Sequence, residues 1–441
     1  MIRFYNADII SVGSAFSRLY GELWTDGDKI AYIGETPEQL PAFEREIDCQ
    51  GDILMPSLKN AHTHTAMTFL RSFAEDVPLK RWLFEKVFPY EERLTPEDVY
   101  AFDRLAILEY LANGTTAAFD MYFFPESTAQ AFIETGMRLV FCGSVNGTAK
   151  DIDRLNDQFQ KFRNYHERVS YRLGFHAEYT SDESLHREIA KLAHAEKEPV
   201  YTHLSETRSE TEECKERHGG LTPAQYLDSL GMWEYGGGGF HCVWLSPEDM
   251  KLFQRRGLWA VTCPCSNAKL ASGFIPLREM MELGFDRIGI GTDGAASNNG
   301  LDLFREMYVG TMMQKLRTED ATGIPTTTLL RAAVQGSARA MGLPDCDDLA
   351  VGKQADLIRI DVAAPNLHPM QYFPETLVLS GSSRNVRMTM CAGRILYEDG
   401  EYFIGASPVD IAAGFAQKTA VEPLARSLGD LRLDQLIAPG F

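Results

Sequence analysis

Short runs rich in β-branched, aromatic and other apolar residues alternate along the chain with stretches whose apolar positions recur every three to four residues. The first pattern reads as strand, the second as helix with one face turned to a core. Strand-like runs occupy residues 52–58, 115–122, 138–145, 171–176, 199–204, 239–245, 258–263 and 287–291. Helical patterns fill residues 96–113, 182–196, 223–230 and 247–256, and Thr95, Ser181, Thr222 and Ser246 stand ready to cap them. Eight strands alternating with helices predict an α/β fold, a (β/α)8 barrel of the TIM type, with its core from about Asp52 to about Gly342.

The two ends break this rhythm. Residues 1–50 offer short strands with a turn at Asp26-Gly27-Asp28, and residues 355–361 and 387–397 offer more of the same. Neither end has enough apolar surface to bury a core alone. They are expected to pair into one small β-sandwich domain, made from residues 1–51 and 346–441, beside a catalytic barrel over residues 52–345. Residues 408–433 read as helix and tail.

Composition narrows the chemistry. The 441 residues carry a formal charge of −19, so no basic surplus is left to neutralise a phosphate backbone, and nucleic acid is not an expected partner. No run approaches the ~20 apolar residues of a membrane span, and the first residues lack a signal-peptide pattern. Eight scattered cysteines make no disulfide framework, and Cys263-Pro264-Cys265 lacks the spacing of common redox or zinc pairs. Cys263 and Cys265 are expected as buried thiols, several of the others fall in apolar or strand-like stretches, and the chain is expected to be cytoplasmic.

The histidines carry the functional signal. In His62-Thr63-His64 an extended backbone projects both imidazoles to one side, where they suit a divalent ion such as zinc. Alone, such a pair reads more readily as two polar loop residues. Its place after a strand changes that, because barrel enzymes keep their chemistry at the C-terminal ends of their strands. His176, His203 and His241 end the fourth, fifth and sixth predicted strands, and Asp293 ends the eighth. His166, His186, His194 and His218 lie in helical or loop surroundings and read as solvated surface. Two-metal barrels bridge their ions through a lysine on the fourth strand, and residues 171–176 contain none. A single ion held by His62, His64, His203 and Asp293 follows, with a position open for water whose pKa it would lower towards roughly 7. Glu206, three residues after His203, can face the same cavity as a general acid/base, or serve as a first-turn acid of the next helix.

Several segments resemble the amidohydrolase superfamily and, within it, the 5-methylthioadenosine/S-adenosylhomocysteine deaminases. They include residues 62–68, Ala74-Glu75-Asp76, Trp82-Leu83-Phe84, residues 89–94, residues 203–207, His241-Cys242-Val243, residues 266–270, residues 291–299 and residues 352–357, in order over nearly the whole chain. The resemblance implies a metal-dependent hydrolase barrel with one divalent ion (Zn2+ by default, Fe2+ or Mn2+ as alternatives) on His62, His64, His203 and Asp293. It implies that Glu206 passes protons to a purine ring while His241 and Asp293 handle the attacking water. Glu91 matches an acid that accepts both ribose hydroxyls, His176 a substrate-contacting histidine, and Arg154 one of two arginines suited to an amino-acid carboxylate; Trp82 is a pocket-wall candidate. A small-molecule nucleoside is the expected partner, and the family leaves a homo-oligomer open, with residues 80–93 available to it.

Two departures bear on substrate. The family follows its fourth-strand histidine with a small residue, proline and tyrosine, whereas this chain has Ala177-Glu178-Tyr179; the second arginine is absent near Cys142 and Gly143. An added acid at the pocket rim and a missing cation disfavour an anionic homocysteine tail. The expected activity is hydrolytic deamination of an adenosine-type nucleoside with a neutral 5′ group: 5′-methylthioadenosine, 5′-deoxyadenosine or adenosine, ahead of S-adenosylhomocysteine. The alternatives are a related enzyme acting on a free guanine, pterin or triazine ring, and a non-catalytic barrel scaffold. A two-metal amide-ring hydrolase is disfavoured by the absent lysine.

Overall fold

The computed structural model describes residues 1–13 and 16–411. Eight strands lie side by side in chain order: Leu58–Thr63, Thr115–Asp120, Arg138–Cys142, Val169–Ala177, Val200–Leu204, Gly237–His241, Trp259–Thr262 and Ile288–Ile290. Every neighbouring pair is parallel. Just past the eighth strand the Asp293 N–H donates to the His62 carbonyl at 3.0 Å, bringing the last strand back to the first. Parallel strands need crossover helices, and these cover the outside of the barrel as the alternating pattern requires.

Seven strands fall where the sequence pattern puts them, to within a few residues. The first does not. Ile53–Pro56 pairs antiparallel with Leu357–Ile360 and in parallel with Ile2–Ser11, so it belongs to the small sheet. The barrel begins one strand later, at Leu58–Thr63, and His62 lies within that strand. Ile53, Leu54 and Met55 look like a core strand because they are one, in the other sheet. The true first strand carries Lys59, Asn60 and His62, all fully buried, and its polarity hides it. Lys59 and Asn60 are satisfied internally, as burial demands. Lys59 Nζ donates to the Ser57 carbonyl at 3.0 Å and hydroxyl at 2.7 Å, while Asn60 exchanges hydrogen bonds of 2.7 and 3.0 Å with Thr292 beyond the eighth strand.

The expected helices form as Pro96–Ala112, Glu183–Glu196, Pro223–Ser229 and Pro247–Arg256. Thr95, Thr222 and Ser246 accept from the first-turn N–H groups as expected, but the second helix is capped by Asp182, not Ser181. An ionised carboxylate is the stronger acceptor beside a helix N-terminus. Helices Pro125–Thr135, Ile152–Phe162, Arg208–Arg217 and Leu303–Thr318 complete much of the outer ring.

Both chain ends build the second unit. Nine strands form one mixed sheet in which Ile53–Pro56 joins the N-terminal half to the C-terminal half. The sheet curls: the Ile30 N–H reaches the Lys353 carbonyl at 2.9 Å and the Ala355 N–H reaches Asp28 at 2.8 Å. Phe4, Leu23, Leu54, Leu357 and Met388 are thereby enclosed in one apolar cluster. The expected sandwich is therefore a single curled sheet. The expected strand over residues 387–397 is two, Val386–Cys391 and Arg394–Glu398, folded at Ala392-Gly393, whose φ values of 47° and 72° suit a tight hairpin turn. Most of the helix and tail expected over residues 408–433 lies outside the described residues. Arg138, at the start of the third barrel strand, donates through Nε and Nη2 to both oxygens of Asp356 at 2.9 Å, a buried pair that ties barrel to sheet. All eight cysteines are buried and free, and Cys263 and Cys265 are buried as anticipated.

Candidate metal and catalytic site

Strand ends on one side of the barrel converge on four side chains. One ligand atom from each of His62, His64, His203 and Asp293 lies within 4.8 Å of the other three. His62 and His64 project together from the end of the first strand, their ring centroids 4.9 Å apart, and His203 completes a triangle at 4.8 and 5.4 Å. Asp293 Oδ1 lies 3.1 Å from His64 Nε2 and 3.5 Å from His62 Nε2. Gly291 makes this approach possible, since a Cβ there would stand 2.6 Å from the backbone N and O of His62.

The donor set fits a divalent ion. His62 is fully buried with neither ring nitrogen hydrogen-bonded, an expensive arrangement unless something else engages it. Burial holds the imidazoles of His62 and His203 below their ordinary range, in the neutral form that ligates metal. His64 and His203 are oriented from behind, each pointing Nδ1 at a backbone carbonyl 2.6 Å away, that of Met121 and of His176 respectively. That fixes the tautomer and leaves Nε2 for the ion. The far oxygen of Asp293 accepts from Ser266 and Ser297 at 2.7 and 2.8 Å.

Glu206 and His241 flank this cluster. His241 Nε2 is 3.9 Å from Glu206 Oε2, and its Nδ1 lies 2.9 Å from Asn267 Oδ1. Ser272 donates to Glu206 Oε1 at 3.1 Å. Desolvation raises the Glu206 carboxyl above its ordinary value, with nearby Asp293 adding to the rise and His241 opposing it. For His241 burial alone would lower the ring, but Glu206 and Asp293 outweigh it and leave it raised. Ser205, His241 and Asp293 have φ of 51°, 70° and 59°, a region costly for residues other than glycine and one that collects at functional sites.

The pocket above these groups is lined by Leu79, Trp82, Phe88, Glu91, Tyr122 and His176, among others. Trp82 is both a core aromatic and a wall of the pocket. Glu91 is buried in the pocket lining, and its Oε1 has no hydrogen-bond partner among the described residues. Burial pushes its carboxyl up to about 7, against the lowering influence of Tyr122 and His64. Glu91 also borders a second, wider cleft opening outward past Phe88, Phe123, Phe124 and Pro125. Arg154 stands in that outer cleft, not in the inner pocket, and pairs with Asp151 at 3.3 Å.

Two expectations need correction. Glu178 adds no free charge to the pocket: it is buried, salt-bridged to Arg217 and 2.9 Å from His218 Nε2. Nor are His186 and His218 solvated surface. His186 is buried, with Nδ1 3.1 Å from the Tyr226 hydroxyl, and His218 stacks on the Tyr226 ring at 3.5 Å. The roles of Ser266, Asn267, Ser272 and Ser297 were missed. Three of them lie inside sequence segments already singled out at residues 266–270 and 291–299; Ser272 carries no such signal.

Comparison with known proteins accords with this geometry. The pattern of the amidohydrolase family matches residues 53–396. A protein of Pelotomaculum thermopropionicum named 5-methylthioadenosine/S-adenosylhomocysteine deaminase is 37% identical over 385 residues, 86% of this chain and 88% of that one. A 5′-deoxyadenosine deaminase of Methanothermobacter thermautotrophicus is 36% identical over 388 residues, 86% and 90% of the two chains. Among solved structures, an adenosine deaminase from Xanthomonas campestris with bound zinc superposes with a TM-score of 0.89 at 29% identity, covering 97% of this chain and 98% of that one.

Proposed function

Because the chain belongs to the amidohydrolase family, we propose that it is a hydrolase of C–N bonds that deaminates adenosine-type nucleosides. Water replaces the exocyclic amine of a 6-aminopurine, giving the inosine analogue and ammonia. One observation carries the choice of a nucleoside: Glu91, a buried carboxylate with an unpartnered oxygen, lines the same pocket as Glu206 and His241. A ribose diol is the ligand that satisfies such a group, with two neighbouring hydroxyls donating to one carboxylate. A free ring would leave it unsatisfied. The relatives named as nucleoside deaminases support the same reading.

His62, His64, His203 and Asp293 would hold one divalent ion, for which we propose zinc. When bound, such an ion lowers the pKa of its water and supplies a nucleophile at neutral pH. The rest falls to the chain's own groups. Glu206, its carboxyl raised above the ordinary value by desolvation, passes a proton to the ring nitrogen beside the carbon under attack. His241, steered by Asn267, accepts the water's proton together with Asp293. Trp82, Leu79 and Phe88 exclude bulk water, and His176 contacts the substrate. The outer cleft takes the 5′ group. Arg154 lines that cleft along with Glu92 and Glu126 and is already paired with Asp151, which favours a neutral 5′ substituent even without a contribution from Glu178.

Ammonia release from zinc-loaded protein tests this with 5′-methylthioadenosine, 5′-deoxyadenosine, adenosine, S-adenosylhomocysteine, adenine and guanine. The nucleosides should turn over, S-adenosylhomocysteine more poorly than the neutral ones. Glu206→Gln should cut kcat by about 10²- to 10⁴-fold with the ion retained. Near wild-type turnover by that variant, or turnover of guanine alone, overturns the proposal.

A further inference from the structure

Glu178 stands where the resembling family carries proline, and it is not a surface acid. Its carboxylate is almost fully buried and accepts from Arg217 Nε at 3.2 Å, from Arg217 Nη2, and faces His218 Nε2 at 2.9 Å. Arg217 ends the helix Arg208–Arg217, and His218 follows it directly. The other end of this helix carries Glu210, buried as well, whose carboxylate accepts the backbone N–H groups of Ser205 and Glu206 at 2.7 Å and of Thr207 at 3.4 Å. One short helix therefore grips two separate stretches of the active-site rim, residues 205–207 through Glu210 and residues 176–180 through Glu178.

The gripped stretches carry the chemistry. In the second, Thr180 Oγ1 lies 3.1 Å from His176 Nδ1 and 3.2 Å from the Ala177 N–H, so the turn and the His176 ring move as one piece. The His176 carbonyl faces His203 Nδ1 at 2.6 Å and accepts from Thr202 Oγ1 at 3.1 Å. Tyr179 lines the pocket. We infer that Glu178 is a positioning residue: clamped by Arg217 and His218, it fixes the turn that aims His176 at the substrate and His203 at its ion. Glu178 touches neither substrate nor ion itself. It takes over, with a charge-assisted staple, the stiffening that proline supplies by restricting the backbone. The part concerning substrate rests on reading His176 as a nucleoside contact.

Glu178→Ala is a fair test because Arg217 is exposed and returns to water when its partner is removed, leaving no buried unpaired charge behind. With zinc-loaded protein, KM for 5′-methylthioadenosine should rise by about 10- to 100-fold with a much smaller fall in kcat, and a chelator should strip the ion faster by a similar factor. Arg217→Ala should act in the same direction, and the double variant should be no worse than the worse single one, since both break one staple. Glu178→Gln, which keeps the shape and part of the bonding, should recover part of the loss. Wild-type KM together with a wild-type rate of ion loss in Glu178→Ala, or losses that simply add in the double variant, would overturn the inference. A wild-type protein inert towards every nucleoside would sink the proposed function alone, because the rate of ion loss still reads the clamp.

Discussion

Glu91 and Glu178 are both buried carboxylates within a few residues of pocket-lining side chains, yet their surroundings send them to different work. Glu178 is salt-bridged to Arg217 and faces His218 in the fold. Glu91 has an oxygen with no hydrogen-bond partner among the described residues, which leaves it available to a ligand. Glu91→Ala should therefore lower kcat/KM for nucleosides by about 10- to 100-fold, the worth of hydrogen bonds to a charged group, and leave adenine within a few-fold of wild type. Steady-state kinetics on the pair of substrates checks it, and an equal loss on both would favour the free-ring alternative. The sequence singled out His62, His64, His203, His241 and Asp293 because barrel chemistry sits at strand ends, and Glu206 from its place three residues after His203, while the resemblance pointed to Glu91; the structure gathers them around one pocket. The sequence misled on Glu178, His186 and His218. Their partners are helical residues up to 40 positions away, and no local pattern records such a meeting.

Among elements, the first barrel strand was the least legible. Hydrophobic periodicity identifies strands that face apolar neighbours, and Leu58–Thr63 instead buries polar side chains satisfied by Ser57 and Thr292. The helix Arg208–Arg217 escaped for the opposite reason, since its residues are almost all polar and its worth lies in its two ends. The eighth strand offers a steric test. Gly291 passes so close to the His62 backbone that Gly291→Ala should cost about 1–3 kcal/mol through overpacking. It should also displace Asp293 from His62 and His64. Thermal unfolding and ion content, measured on the same sample, should both fall; an unchanged ion content would mean that the strand yields without moving the ligands.

For the molecule as a whole, the buried Arg138–Asp356 pair is the polar joint between barrel and curled sheet. Arg138→Met keeps the volume but removes two charge-assisted bonds from Asp356, leaving it to Thr116, the Ala392 N–H and the nearby Lys59, and denaturant unfolding should register a loss of about 1.5–3 kcal/mol. Replacing Asp356 by leucine in the same chain should restore part of it. Acid should weaken the small sheet by a related route. Burial alone would raise the Glu22 carboxyl, but bonds from Arg3, Thr36 and Trp24 prevail and bring it down to about 2. A carboxyl depressed on folding contributes stability that is complete above its ordinary value near 4.5 and disappears as pH falls from there through about 2. Glu22→Gln should accordingly flatten the decline of melting temperature over that interval. The barrel's closure has a consequence for biosynthesis. The Thr63 hydroxyl reaches the Asp293 carbonyl across a sequence separation of 230 residues, so the first two histidines emerge from the ribosome long before the aspartate that completes their set. At about 5–20 residues per second that interval is of the order of 10–50 s. An ion held by the proposed set would thus be loaded late in the life of the nascent chain.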